Sequence, residues 1–169
     1  MNILIVSATQ FEVKPLLDYL NIKEVENGIN KSSTTIQDNA ITILITGIGM
    51  VNTAYMMGKY HKSSYDLVIN VGVCGSFKRT IELGELVHVT EDVLSELGAE
   101  NGHAFLTYDE LNLEGSHIFK NQNTSKNKLI HQLKEVKGIT VNTIHGNEAS
   151  ILKVSTLYNP DIESMEGAA

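Results

Sequence analysis

A chain of 169 residues, 42% hydrophobic and 20% charged, has an ordinary globular composition and the length for a sizeable core. Its net charge is −7 and Arg79 is its only arginine, which argues against a nucleic-acid binder, a class that needs a basic face. No apolar run reaches a membrane span, no signal-peptide pattern precedes the first strand, and the single cysteine, Cys74, excludes an intrachain disulfide. A cytoplasmic protein with no membrane association is expected.

Ile3–Val6 is a continuous apolar run, the pattern of a strand buried on both faces of a sheet. Thr9 to Leu20 reads as a helix, with Phe11, Val13, Leu16, Leu17 and Leu20 at helical spacing and Pro15 in its early turns. A second strand is predicted over Ile41–Ile45 and a helix over Val51–His61. Leu67–Val71 is predicted as a third buried strand and Glu85–Asp92 as a fourth. Residues 98–123, polar and rich in Gly and Asn, suggest a long loop. A helix near Lys126–Val136, a strand near Thr140–Ile144 and a short helix near Glu148–Val154 follow. Strands alternating with helices predict a single α/β domain over residues 1–169, a three-layer α/β/α arrangement around a central mixed sheet.

In such sheets ligands collect at the carboxyl ends of strands. Five motifs occupy that position: Ser7–Glu12, Gly47–Gly49, Gly72–Phe77, His145–Ser150 and Ser164–Gly167. They are expected to converge on one pocket. Gly47-Ile48-Gly49 partly matches a dinucleotide fingerprint, but Asn52 stands where the third glycine belongs and the motif does not follow the first strand. Its glycines suit a tight turn, with backbone N–H groups available to a polar ligand. Gly72-Val73-Cys74-Gly75 is a second such turn, in which absent side chains would let a flat ligand approach the backbone. Cys74 reads as a small buried hydrophobe, without a neighbouring base to activate it. None of the six histidines has metal-ligand spacing; neither a metal nor a cofactor is predicted, and His145 is kept as a residue lining the site.

Glu12 admits two readings. Thr9-Gln10-Phe11-Glu12 matches a capping box, in which the glutamate bonds back to the Thr9 N–H. Alternatively, Glu12 is a carboxylate at the mouth of the sheet, placed to activate water. Glu166 likewise could rest against helix N-terminal amides or hold two vicinal sugar hydroxyls, since a carboxylate accepts from both at once.

Taken in order, the opening segment with Glu12, Thr46–Gly49, Asn70–Phe77, Gly84–Val87 and the ending Glu163-Ser164-Met165-Glu166-Gly167-Ala168-Ala169 resemble the nucleoside phosphorylase and nucleosidase superfamily. Within it, Val73–Phe77 and Val89–Asp92 leading to Leu97–Glu100 look most like the futalosine hydrolases of menaquinone biosynthesis. The resemblance implies a purine nucleoside as the small-molecule partner and a homo-oligomer. Glu12 would orient the attacking water, Glu166 would bind the ribose 2′- and 3′-hydroxyls with Met165 against the sugar, Gly72 and Val73 would line the base and ribose site, and Ala149 and Ser150 would lie beside the base. Position 73 departs from the related methylthioadenosine nucleosidases, which carry serine there. The family's fold continues for another strand and helix past Met165-Glu166 and places its leaving-group residue there, so a C-terminally truncated chain is expected. The closest enzymatic alternative is a methylthioadenosine or adenosylhomocysteine nucleosidase; a non-catalytic nucleoside-binding module is the alternative of another class.

Overall fold

The computed structural model describes residues 1–22, 31–121 and 127–169. The chain divides into two compact units, Met1–Val73 with Ala169, and Cys74–Ala168.

In the first unit, β1 (Asn2–Ser7) lies between β3 (Asn39–Ile45) and β4 (Leu67–Asn70), parallel to both, and β2 (Lys31–Ile36) pairs antiparallel with β3. The order is therefore β2-β3-β1-β4. The uninterrupted apolar run in β1 follows from cover on both faces. Ile5, with Ile43 and Ile45, packs against Val13, Leu17 and Leu20 in and around α1 (Lys14–Tyr19), while Leu4, Val6 and Leu44 turn to Met56, Met57 and Tyr60 of α2 (Met50–Tyr60). Successive strand residues point to opposite faces, so a strand between two helical layers must be apolar throughout.

Helix α1 is shorter than the periodicity predicts. Pro15 sits at its first turn, where a missing N–H is tolerated, and residues 10–13 form a turn ahead of it. Strand β4 ends one residue short of its predicted span and is an edge strand, with Val68 39% exposed, rather than a buried one. Strand β2 has no counterpart among the predicted elements, because Lys31-Ser-Ser-Thr-Thr-Ile36 lacks the apolar content of an inner strand. Gln37 and Asp38 close the β2–β3 hairpin, both with positive φ.

In the second unit, β10 (Lys134–Thr140) runs parallel to β6 (Val87–Leu94) on one side and β11 (Ile162–Ser164) on the other. The short β5 (Gly75–Ser76) joins β11 and β9 (Ile118–Lys120) joins β6, both antiparallel. Val93, Ile139, Val141 and Val154 form the core, with Phe77 and Tyr158 against it; Val154 and Tyr158 come from α3 (Glu148–Tyr158).

Three predicted elements are corrected here, the first being the strand expected near Thr140–Ile144: β10 ends at Thr140, and residues 141–144 lie outside any strand. Residues 98–123 are not a long loop: they include the hairpin of β7 (Gly98–Asn101) and β8 (Ala104–Thr107), then β9, while residues 122 and 123 lie outside the described residues. The hairpin's polar composition reflects its exposed first strand. The helix predicted near 126–136 is, beyond Lys126, which is not described, a 3₁₀ turn at Ile130–Gln132 followed directly by β10. Pairing with β6 and β11 takes Lys134–Thr140 into the sheet; short apolar runs leave helix and strand ambiguous, and tertiary partners decide. Both units are mixed sheets with helices, the expected α/β class.

Candidate active site

In the first unit, Glu12 lies in the turn between β1 and α1, and its hydrogen bonds match the capping-box reading. Its Oε2 accepts from the Thr9 N–H at 2.8 Å, the Thr9 hydroxyl at 2.9 Å and the Ser7 hydroxyl at 3.3 Å, and the Glu12 N–H donates to Thr9 Oγ1 at 3.4 Å. That is the reciprocal arrangement of a capping box, here closing the turn before the helix. The other oxygen, Oε1, accepts from the Val73 N–H at 3.2 Å. One oxygen anchors the side chain, and the second is presented at the segment following β4.

Gly72 makes this possible. A Cβ built there would lie 2.9 Å from Glu12 Oε1, so any side chain at 72 would press on the carboxylate. Glu12, Gly72 and Val73 thus form one cluster; Val73 is exposed and Gly72 is exposed as well. Cys74, expected to be buried, is exposed. Desolvation of its sulphur holds the thiol above its ordinary pKa, the wrong direction for a nucleophile.

The glycines after β3 form a turn: Gly47 and Gly49 have φ of 86° and 96°, which L side chains rarely adopt. Asn52, in the place of a third fingerprint glycine, donates its side-chain amide to the Ile48 carbonyl at 2.7 Å.

In the second unit, Met165 and Glu166 occupy the turn after β11, both half-buried. Buried polar groups hold this turn at both ends. Before it, Glu163 is 4% exposed; its Oε1 accepts from the His145 N–H at 3.1 Å and its Oε2 lies 2.6 Å from His145 Nδ1. After it, the Ala168 N–H donates to Thr140 Oγ1 at 2.8 Å, and the Thr140 hydroxyl donates to Asp92 Oδ1 at 2.7 Å. Within the turn, the Gly167 N–H donates to Ser164 Oγ at 3.1 Å. The Glu163–His145 pair also ties down the segment leading into α3. Ala149 and Ser150 occupy the first turn of that helix, whose N-cap Asn147 accepts from the Ser150 N–H at 2.9 Å.

His145, kept as a lining residue, is thereby a structural partner of Glu163 as well, and its ring lies 6.3 Å from that of Phe77. Sequence reasoning did not single out Asp92 or Thr140. Asp92 is 5% exposed, and burial pushes its carboxyl up to about 6 against the opposing hydrogen bonds from Thr140 and the Val93 backbone. A buried acid inside the predicted strand was the available signal. Among the described residues no group of three or more His, Cys, Asp and Glu is arranged to hold a metal ion, and no helix is long and apolar enough to cross a membrane.

A family model described as the phosphorylase superfamily matches residues 2–169. The chain belongs to that superfamily. Among curated superfamily relatives, it is 28% identical over 141 residues to the futalosine hydrolase of Thermus thermophilus, covering 79% of this chain and 62% of the relative. It is 31% identical over 97 residues to a 5′-methylthioadenosine/S-adenosylhomocysteine nucleosidase of Bacillus pumilus, covering 54% and 41%. The chain thus spans less than two thirds of the length of either. Among solved structures it is similar to a futalosine hydrolase mutant of Helicobacter pylori (TM-score 0.82, 19% identity, 99% of this chain and 76% of that one). A Campylobacter jejuni 5′-methylthioadenosine/S-adenosylhomocysteine nucleosidase is similar at TM-score 0.80 and 24% identity, with the same coverage. At these identities the structural likeness establishes the superfamily fold alone.

Proposed function

We propose that the protein hydrolyses the N-glycosidic bond of a purine nucleoside, with futalosine as substrate and hypoxanthine and dehypoxanthine futalosine as products. The observation that carries this is the division of labour in the Glu12 carboxylate: Oε2 is held by three donors while Oε1 is offered beside Gly72 and Val73.

Cleaving the bond from the ribose C1′ to the purine nitrogen builds positive charge on the sugar, as in glycoside hydrolysis. Water attacks C1′ as the purine leaves with the bonding electron pair and takes up a proton. Glu12 Oε1 orients that water and accepts its proton. Glu166 accepts hydrogen bonds from the 2′- and 3′-hydroxyls, its negative charge favouring the developing cation. Met165 packs against the sugar, Gly72 and Val73 line the base and ribose site, and Ala149 and Ser150 lie beside the base. Phosphorolysis needs a cationic phosphate pocket, typically with arginine; Arg79, the only arginine, lies in a turn outside the five strand-end motifs.

The likeness to a curated futalosine hydrolase over 79% of the chain supports the choice of substrate, as does Val73 in place of the serine of methylthioadenosine nucleosidases. The shorter match to one of those nucleosidases keeps methylthioadenosine as a second substrate to test. A homo-oligomer in the cytoplasm, as is common in the family, completes the proposal.

The deciding experiment incubates the protein with futalosine or methylthioadenosine, with and without phosphate, and identifies both products. Hypoxanthine released from futalosine at a rate independent of phosphate is expected. A sugar 1-phosphate product would establish phosphorolysis instead. Nucleoside binding without any base release would favour the non-catalytic module.

A further inference from the structure

We propose that Asp92 and Thr140 are positioning residues for Glu166, forming a buried relay that fixes the turn carrying its carboxylate. The inference rests on the reading of Glu166 as the ligand of the ribose hydroxyls.

Thr140 lies at the end of the central strand β10 and is fully buried. A hydroxyl has one proton and two lone pairs. By donating that proton to Asp92 Oδ1 at 2.7 Å, Thr140 leaves its oxygen free to accept the Ala168 N–H at 2.8 Å. Asp92 thus sets the direction of the Thr140 hydroxyl, and the hydroxyl holds the backbone two residues beyond Glu166. The second carboxylate oxygen fits against backbone. A Cβ at Gly138 would lie 2.7 Å from Asp92 Oδ2, and one at Gly167 would be well inside contact distance of the same atom. Glycine at 167, next to Glu166, gives the acid room to seat against the turn.

A buried acid braces a loop at a cost in stability, because desolvation opposes its charge. What it supplies is direction: the relay admits one orientation of each hydrogen bond, and small misplacements of a binding group cost much of its effect. Among the described residues, Asp92 bonds to Thr140 and to the Val93 backbone, and no charged group contributes to its raised pKa. On its own strand, Glu91 is occupied by Lys120 and Lys137.

The test uses kcat/KM for futalosine divided by that for its 2′-deoxy analogue. The intrinsic reactivity of the deoxyriboside cancels between variants, whereas a general loss of stability would lower both values alike. A carboxylate–hydroxyl bond should raise the ratio roughly tenfold or more above its value without that bond. Glu166→Ala should reduce this severalfold; if it does not, the hydroxyl reading itself is wrong and the relay falls with it. Thr140→Val, which removes the hydroxyl at constant shape, should also lower the ratio severalfold, and Thr140→Ser should restore it. A lowered ratio in Glu166→Ala with an unchanged ratio in Thr140→Val would overturn the relay alone.

Should Thr140→Val fail to fold, the wild type is measured from pH 5 to 8 beside Asp92→Asn. A protonated Asp92 need no longer accept the Thr140 proton, which frees the hydroxyl to turn away from Ala168, so the wild-type ratio should fall on acidification. The Asp92→Asn variant offers an amide oxygen at every pH and should lack that component. The His145–Glu163 pair is common to both proteins and cancels. Identical pH profiles in the two proteins would overturn the proposal.

Discussion

The Val73 N–H donates to Glu12 Oε1 across 3.2 Å, joining residues 61 positions apart in the chain. Glutamate meets this contact and the Thr9 bonds together because both its oxygens accept. Glutamine cannot: with its oxygen at Thr9, its NH₂ group would face the Val73 N–H. Glu12→Gln is therefore expected to lose roughly 10²-fold or more in kcat, the scale of a general base. Its cost in stability should be only about 1–3 kcal/mol, the scale of an unsatisfied donor. Paired urea unfolding and futalosine hydrolysis separate the two effects, and a variant that hydrolyses normally would leave Glu12 as a cap only.

Gly72→Ala isolates the same carboxylate by pressure instead of chemistry. The backbone at Gly72 has no positive φ, so alanine is conformationally acceptable there. Its Cβ, however, would meet Glu12 Oε1 at 2.9 Å. The expected result is at least about a tenfold fall in kcat, as for a displaced catalytic group, with a stability change within about 1 kcal/mol. Equal losses in kcat and stability would show that the turn, not the carboxylate, has been damaged.

Asp92 should leave a signature in stability against pH. Its carboxyl is pushed up to about 6 by burial, from 3.8. Between those values the folded protein holds a proton that the unfolded chain has released, so this component of stability is present at low pH and is lost as pH rises through about 6. The displacement corresponds to about 3 kcal/mol at most. Denaturant unfolding at about pH 4.5 and about pH 7.5, on either side of the raised value, should show much of that loss in the wild type and a reduced loss in Asp92→Asn. An identical pH dependence in both proteins would rule Asp92 out as its source.

Glu163→Ala is expected to destabilise the protein by about 2–4 kcal/mol, because it leaves the part-buried N–H and Nδ1 of His145 without their partner and opens a cavity. Thermal melting checks it. A loss below about 0.5 kcal/mol, the range of an ordinary surface substitution, would mean that solvent readily replaces the carboxylate.

Much of this was legible in the residues themselves, for a physical reason in each case. Ile3–Val6 announced β1 because a strand covered on both faces has no place for polar positions, and the Thr9–Glu12 spacing announced a reciprocal pair because a single turn brings those residues together. Lys134–Thr140 did not announce β10, since its strand character depends on β6 and β11, remote in sequence. The pairing of Asp92 with Thr140 was not legible for the same reason: they are separated by 48 residues, and nothing local to either predicts the other. Gly72 read as a turn glycine; that it makes room for Glu12 emerged only from the fold.

The double employment of Glu12 changes what its presence in a sequence can mean. Selection for folding alone would retain a Thr-x-x-Glu turn, so a descendant that had lost all activity could keep this glutamate indefinitely. Gly72 is different, because its backbone does not demand glycine and the atom it spares is the oxygen the turn does not use. In a library selected only for solubility, position 12 should stay fixed while position 72 drifts. Where the pair has come apart in that way, the remaining glutamate is a relic of folding, and a reader of genomes should not count it as an enzyme.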